Sequence, residues 1–148
     1  MARDIMFRAW DKERGIMVDS PYFFDKYHFS DENRINKWEW RYYGDWRDLE
    51  DGRGRECELM QFTGCNDKTG KPIYEGDIVK RVIITFDLEK PDGEDEIRTE
   101  EISYIEWRHS GFWVAAEHFG WEGESMWHWG DIEVIGNIYE NGDLLGKD

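Results

Sequence analysis

The clearest alternation of apolar and polar positions runs from Ile78 to Leu88, where Ile78, Val82, Ile84 and Phe86 share one face with Lys80. A period of two over that length predicts a half-buried β-strand. The strand leaves a stretch, Leu59 to Val79, around which the rest of the chain is organised. Within it, Asn66-Asp67-Lys68-Thr69-Gly70-Lys71 is a polar run ending in a glycine. Gly70 suits the positive-φ position that closes a hairpin, and Asn66 and Asp67 are placed to bond back to nearby amides. Pro72 has no amide hydrogen and belongs at a strand start or edge. Ile73-Tyr74 is a short apolar step, and Glu75-Gly76-Asp77 is a second turn.

The same reading extends to both ends. Ile5, Phe7 and Ala9 alternate against Met6, Arg8 and Trp10, which predicts an opening strand; Asp11 to Gly15 is its hairpin loop and Ile16 to Val18 the return. Ser20-Pro21 breaks that strand, and Tyr22, Phe23, Phe24, Tyr27 and Phe29 form an aromatic patch that fits a short strand. Residues 31–43 admit two readings. Ser30 or Asp31 would cap a helix carrying Ile35, Trp38 and Tyr42, whereas Trp38, Trp40 and Tyr42 also alternate as a strand does, and the strand is preferred. Gly44 to Arg55 reads as a charged loop. After Leu88 comes an acidic turn-forming loop, then Ile97 and Ile102 to Trp107 pairing back antiparallel. A tight turn at residues 108–111, a strand from Phe112 to Phe119, a turn at residues 120–124, a turn at Gly130-Asp131 and a last strand from Ile132 to Tyr139 complete the series, with Leu144-Leu145 docking back. Short strands at this spacing predict a mainly β fold, a small antiparallel barrel in the C-terminal part with a β-rich N-terminal extension.

A chain of 148 residues has room for one domain, or a small barrel with an added subdomain. Its net charge of -15 and 36% charged residues would suit disorder, but 16% aromatic content, with nine tryptophans, argues for a packed core. The charge is uneven: residues 1–58 carry 14 acidic and 11 basic side chains, residues 59–80 balance, and residues 81–148 carry 17 acidic against 5 basic. So acidic a surface repels phosphate backbones and anionic lipid, which disfavours direct nucleic-acid or membrane binding. No apolar run is long enough to cross a membrane and the start does not resemble a signal peptide, so a cytoplasmic location is expected. Cys57 and Cys65 are expected to be free thiols.

Candidate chemistry is sparse. His109, His118 and His128 lie near Glu117, Glu122 and Asp131, but without the spacing that puts two metal ligands on one face, so no metal is expected. Carboxylates beside tryptophans, Glu106 with Trp107 and Glu122 with Trp121, resemble sugar-cleaving clefts, yet such adjacency is expected by composition alone. No residue stands out as a general acid or as a nucleophile, so no catalytic residue and no cofactor is assigned. The segment from Thr63-Gly64 to Gly70-Lys71 superficially suggests a phosphate loop but lacks its consensus and its following helix. Arg3, Arg8, Arg34, Lys37, Arg41 and Arg47 interleave with Trp38, Trp40, Tyr42, Tyr43 and Trp46, the one patch worth testing for single-stranded nucleic acid.

Three ordered blocks carry a family resemblance. Leu59-Met60-Gln61-Phe62-Thr63-Gly64, then Asp67-Lys68 and Gly70, then Ile73-Tyr74-Glu75-Gly76-Asp77-Ile78-Val79, resembles the signature of the YopX family of phage and prophage proteins. Phe7-Arg8-Ala9-Trp10-Asp11 resembles the family's opening strand, and Val134-Ile135-Gly136-Asn137-Ile138-Tyr139-Glu140-Asn141 its closing block. Cys65, Thr69 and Gly142-Asp143 depart from its usual residues. The resemblance implies an SH3-type β-barrel in the C-terminal part and a phage or prophage origin, and it brings no established activity. Residues 1–58 are expected to form an N-terminal subdomain and residues 59–148 the barrel. The function expected is that of a non-catalytic protein-interaction module binding itself or a host protein, with Trp38, Trp40, Tyr42 and Trp46 as its surface. An acidic mimic of nucleic acid that blocks a host DNA-binding protein is the alternative, and a hydrolase a third reading.

Overall fold

The computed structural model describes residues 5–19, 21, 23–30, 36–44, 47, 54–87, 89–90, 95–108, 111–115, 124–125 and 131–146. They are mainly strand: β1 (Phe7–Asp11), β2 (Ile16–Asp19), β3 (Phe23–Ser30), β4 (Asn36–Tyr43), β5 (Arg55–Asn66), β6 (Pro72–Tyr74), β7 (Asp77–Phe86), β8 (Glu96–Arg108), β9 (Gly111–Val114), β10 (Glu124–Ser125) and β11 (Glu133–Asn137), followed by a 3-10 turn at Gly142–Leu144. The chain forms two compact units, Met1–Phe62 and Thr63–Asp148, and the division falls within β5.

In the first unit the strands run in the order β2-β1-β5-β4-β3, and each neighbouring pair is antiparallel. The opening hairpin closes as its pattern predicts, with Gly15 at φ 64 and its N–H bonded to the Asp11 carbonyl at 2.9 Å. The aromatic-rich segment is a strand, and it pairs with β4 along its whole length, from Phe23 opposite Tyr43 to Ser30 opposite Asn36. That pairing decides between helix and strand for Asn36–Tyr43: as a strand its backbone groups are satisfied against β3. Ala9, Tyr42 and Cys57 form the core here, with Val18, Phe24, Trp40 and Leu59 packed against them. Phe24 stacks against Phe7 at 4.8 Å and edge-on to Trp40 at 6.0 Å.

In the second unit the order is β10-β9-β8-β7-β11, while β6 pairs β5 and so belongs to the sheet that holds β5. The core is Ile73, Val79, Ile105, Val114, Ile132 and Val134, with Cys65 and Phe112 against it. The expected SH3-like barrel is not closed among the described strands: the order ends at β10 on one side and β11 on the other, and these two do not pair. Both sheets are open. The half-buried reading of β7 also needs correction. The strand runs where its alternation predicts, but its apolar face is covered only at the near end: Ile78 is fully buried, whereas Val82, Ile84 and Phe86 are 42%, 49% and 56% exposed.

Candidate functional site

The central motif is built around the Asp67 carboxylate. Its Oδ1 accepts from the Thr69 N–H (2.8 Å), the Thr69 hydroxyl (2.7 Å) and the Lys71 N–H (2.9 Å), and its Oδ2 accepts from the Val134 N–H at 2.9 Å. Lys68 N–H adds a bond to the Ile132 carbonyl at 2.9 Å, so the turn is fastened to the start of β11. Gly70 holds φ 91, and Gly64 and Gly76 hold φ 89 and 83, a region open to glycine at little cost. Burial pushes the Asp67 carboxyl up, but the bonds from Thr69, Val134 and Lys71 together outweigh it and hold the group down at about 2. The amides that a bound phosphate would require are occupied by this side chain.

The rest of the motif is equally structural. Leu59, Met60 and Gln61 lie in β5 opposite Ala9, Arg8 and Phe7. Thr63 donates its hydroxyl to the Ile73 carbonyl at 2.8 Å, Asp77 accepts from the Tyr74 N–H at 2.8 Å, and Glu75-Gly76 makes the turn between β6 and β7. Gly76 N–H bonds the Ile105 carbonyl at 2.8 Å while its own carbonyl accepts from Ile138 N–H at 2.9 Å. In the closing block, Asn137 Oδ1 accepts from the N–H groups of Tyr139 (3.1 Å) and Glu140 (2.9 Å), and Asn141 Oδ1 accepts from the Asn137 N–H at 3.2 Å. Gly136 is required there, since a Cβ on it would sit 2.5 Å from Asn141 Oδ1.

The opening block carries a second polar knot. Asp11, fully buried, accepts from the N–H groups of Glu13 (2.9 Å) and Arg14 (2.8 Å), from Arg14 Nε (2.9 Å) and from the Tyr42 hydroxyl (2.6 Å). Arg14 Nη2 donates in turn to the Tyr42 oxygen. Burial again raises the Asp11 carboxyl, and the bonds from Tyr42, Arg14 and Glu13 outweigh it to leave the group at about 2. Burial and the bond to Asp11 push the Tyr42 hydroxyl up, keeping it a donor.

Outside these knots, one surface stands apart. Among the described residues, β11 pairs β7 from Asp77 to Lys80 and no further, and β9 pairs β8 from Ile105 to Arg108 and no further. Beyond those points β7 and β8 continue together, from Arg81 opposite Glu101 to Phe86 opposite Glu96, as a two-stranded ribbon. Across one face, Val82, Ile84 and Phe86 stand beside Glu100, Arg98 and Glu96. Arg81 is held to Glu101 at 2.6 Å.

Two of the four residues expected to form an interaction surface have described side chains. Tyr42 is 1% exposed and committed to Asp11, and Trp40 is half-buried against Phe24. Trp38 sits in β4 opposite His28, and Trp46 lies outside the described residues. Of the cations near them, Arg8 is buried, and Arg41 donates to Glu39 at 2.7 Å and to the Gly54 carbonyl at 2.6 Å; Arg3 and Arg34 lie outside the described residues. The histidine and carboxylate set, apart from Asp131, and the Trp121–Glu122 pair lie outside them too. Among the described residues no group of three His, Cys, Asp or Glu is placed to hold a metal ion, and no helix is long and apolar enough to cross a membrane. Trp107 is exposed, edge-on to Phe112 at 4.8 Å. Cys57 and Cys65 are free thiols, and burial, followed by the nearby Glu58, pushes Cys57 up to about 12.

A mainly β protein of two open antiparallel sheets, whose motif residues serve turns and strand pairing, is the class this geometry defines among the described residues. The chain belongs to the YopX protein family, which it matches over residues 6–146. Among curated proteins none matches it. The crystal structure of protein EF1440 from Enterococcus faecalis is similar in fold, with a TM-score of 0.52 and 21% identity over 97% of this chain and 99% of that one.

Proposed function

We propose that the protein is a non-catalytic interaction module, an accessory protein of phage or prophage origin acting in the bacterial cytoplasm. It binds another protein, which is either a second copy or a host protein. The observation that carries this reading is the distal β7–β8 ribbon, where Val82, Ile84 and Phe86 stand exposed in a row. Large apolar side chains held side by side on a solvent-facing sheet mark contact sites, and Glu96, Arg98 and Glu100 supply a charged rim. The most perturbed groups, Asp11, Asp67 and Cys57, organise turns or fill the core, which favours a role without catalysis, metal or cofactor. The SH3-type architecture implied by the resemblance belongs with this reading, since β7, β8 and β9 form a meander of the kind small interaction domains use.

The test is retention from bacterial lysate at high salt by the native protein and by Ile84→Lys, with the chain itself among the candidates. A protein held by the native chain and lost with the variant is expected; retention that the variant leaves unchanged contradicts the reading.

A second reading, a mimic of nucleic acid directed at a host DNA-binding protein, is favoured by the acidity of the same region. The distal part of β8 carries Glu96, Glu100 and Glu101 against Arg98 alone, and residues 81–148 hold most of the net charge. Such a complex weakens steeply with salt and yields to duplex DNA, whereas an apolar contact survives both.

A further inference from the structure

We infer that the ribbon is a self-association device: two copies pair antiparallel along the free edge of β7, with the two-fold axis at Ile84. This rests on reading the ribbon as the interaction surface and names its occupant.

Three independent features of the ribbon fix that register. The first is the direction of the backbone groups. Asp87 N–H bonds the Asp95 carbonyl at 3.1 Å, continuing the β7–β8 ladder. Because such pairs alternate along an antiparallel ladder, the odd-numbered residues of β7 turn their N–H and C=O towards β8, and Val82, Ile84 and Phe86 turn theirs outward. Among the described residues no strand pairs with this edge beyond Lys80. The second is side-chain parity. With Ile84 opposite its own copy, Val82 falls opposite Phe86 of the second copy, and all of these side chains lie on one face. The outward-facing groups of both copies then meet in about six hydrogen bonds under one apolar stripe.

The third is charge. In this register Arg81 of each copy lies opposite Asp87 of the other, an opposite-charge pair at both ends of the stripe. The other edge, which has no partner beyond Ile105 among the described strand registers, fails the same test. A two-fold axis at Arg98 on β8 would set Glu96 opposite Glu100, like against like. The β7 edge also lacks the devices that keep an edge strand single, for Arg81-Val82-Ile83-Ile84-Thr85-Phe86 contains no proline and one charge. A stretch of that composition is an aggregation hazard unless something covers it. A matching copy covers it and closes the pair, whereas an open-ended stack would not close.

The experiment is sedimentation or light scattering of the full chain from low to high micromolar concentration, on the native protein, Ile84→Lys and Ile84→Cys. Near-ultraviolet spectra report the fold of each variant. The native chain should form dimers. Ile84→Lys, placing two like charges on the axis, should weaken them about tenfold or more with the fold unchanged. Ile84→Cys should give a covalent dimer on mild oxidation, while Arg98→Cys should not. A native chain that stays monomeric, or dimers that Ile84→Lys leaves intact, overturns the inference. A monomer that still holds a host protein through Ile84 overturns the self-pairing alone and leaves the interaction reading standing.

Discussion

The Tyr42 hydroxyl donates to Asp11 Oδ2 across 2.6 Å, joining the end of β4 to the end of β1 although 31 residues separate the two in sequence. The sequence places Tyr42 among the aromatics of an expected interaction surface; its burial and its partner make it a core residue with a polar end. Removing the hydroxyl leaves the buried carboxylate one donor short. Tyr42→Phe should therefore destabilise the protein by about 1–3 kcal/mol, measured as a lower midpoint in urea with an unchanged slope.

Asp11 and Asp67 give the fold a defined acid limit. Each carboxyl lies at about 2 in the folded chain against 3.8 without its partners. In that interval the unfolded chain binds more protons, so stability is full above about pH 5 and is lost as pH falls towards 2. The loss should be on the order of 2 kcal/mol for each group. Urea titrations between pH 6 and pH 2.5 check it, and Asp67→Asn should remove its own share of the acid limb and no more.

Gly136 lies too close to Asn141 for any side chain, with three Asn141 atoms between 2.5 and 2.8 Å from where a Cβ would stand. Gly136→Ala should cost about 1–3 kcal/mol. Shortening the neighbour, in Gly136→Ala with Asn141→Gly, should recover part of that loss and distinguish a clash from a lost turn.

The two cysteines should separate in reactivity. Cys57 is buried and pushed up to about 12, while Cys65 is half-buried. Since the thiolate is the reacting form, a thiol reagent at pH 8 should label Cys65 in the folded protein and Cys57 only after unfolding, as peptide mapping would show.

What the sequence made legible was local. Asp67 Oδ1 and Gly70 lie within one turn of the groups they serve, so turn chemistry identifies that part of the knot, and period-two alternation places β1, β4 and β7; the bond from the Val134 N–H to Asp67 Oδ2 spans 67 residues and has no local sign. What stayed hidden depends on distant chain. Nothing near Asp11 points to Tyr42, and nothing near Gly136 shows that Asn141 folds back onto it. The pattern of β7 is the same from Ile78 to Phe86, yet among the described residues neither β11 nor β9 reaches its far half, so one alternating face is core at one end and exposed at the other. Barrel closure, not seen among the described strands, was hard to read for a related reason: strand lengths are written in the sequence, but which edges meet is not.

The most direct test is amide hydrogen exchange at Val82, Ile84 and Phe86, whose N–H groups point to the open edge. If the ribbon is the contact surface, these amides are protected in the associated protein and become unprotected on dilution or in Ile84→Lys, while the buried strand at Ile78 and Val79 stays protected throughout. Rapid exchange at all three positions at every concentration, and with any retained partner present, would contradict the account.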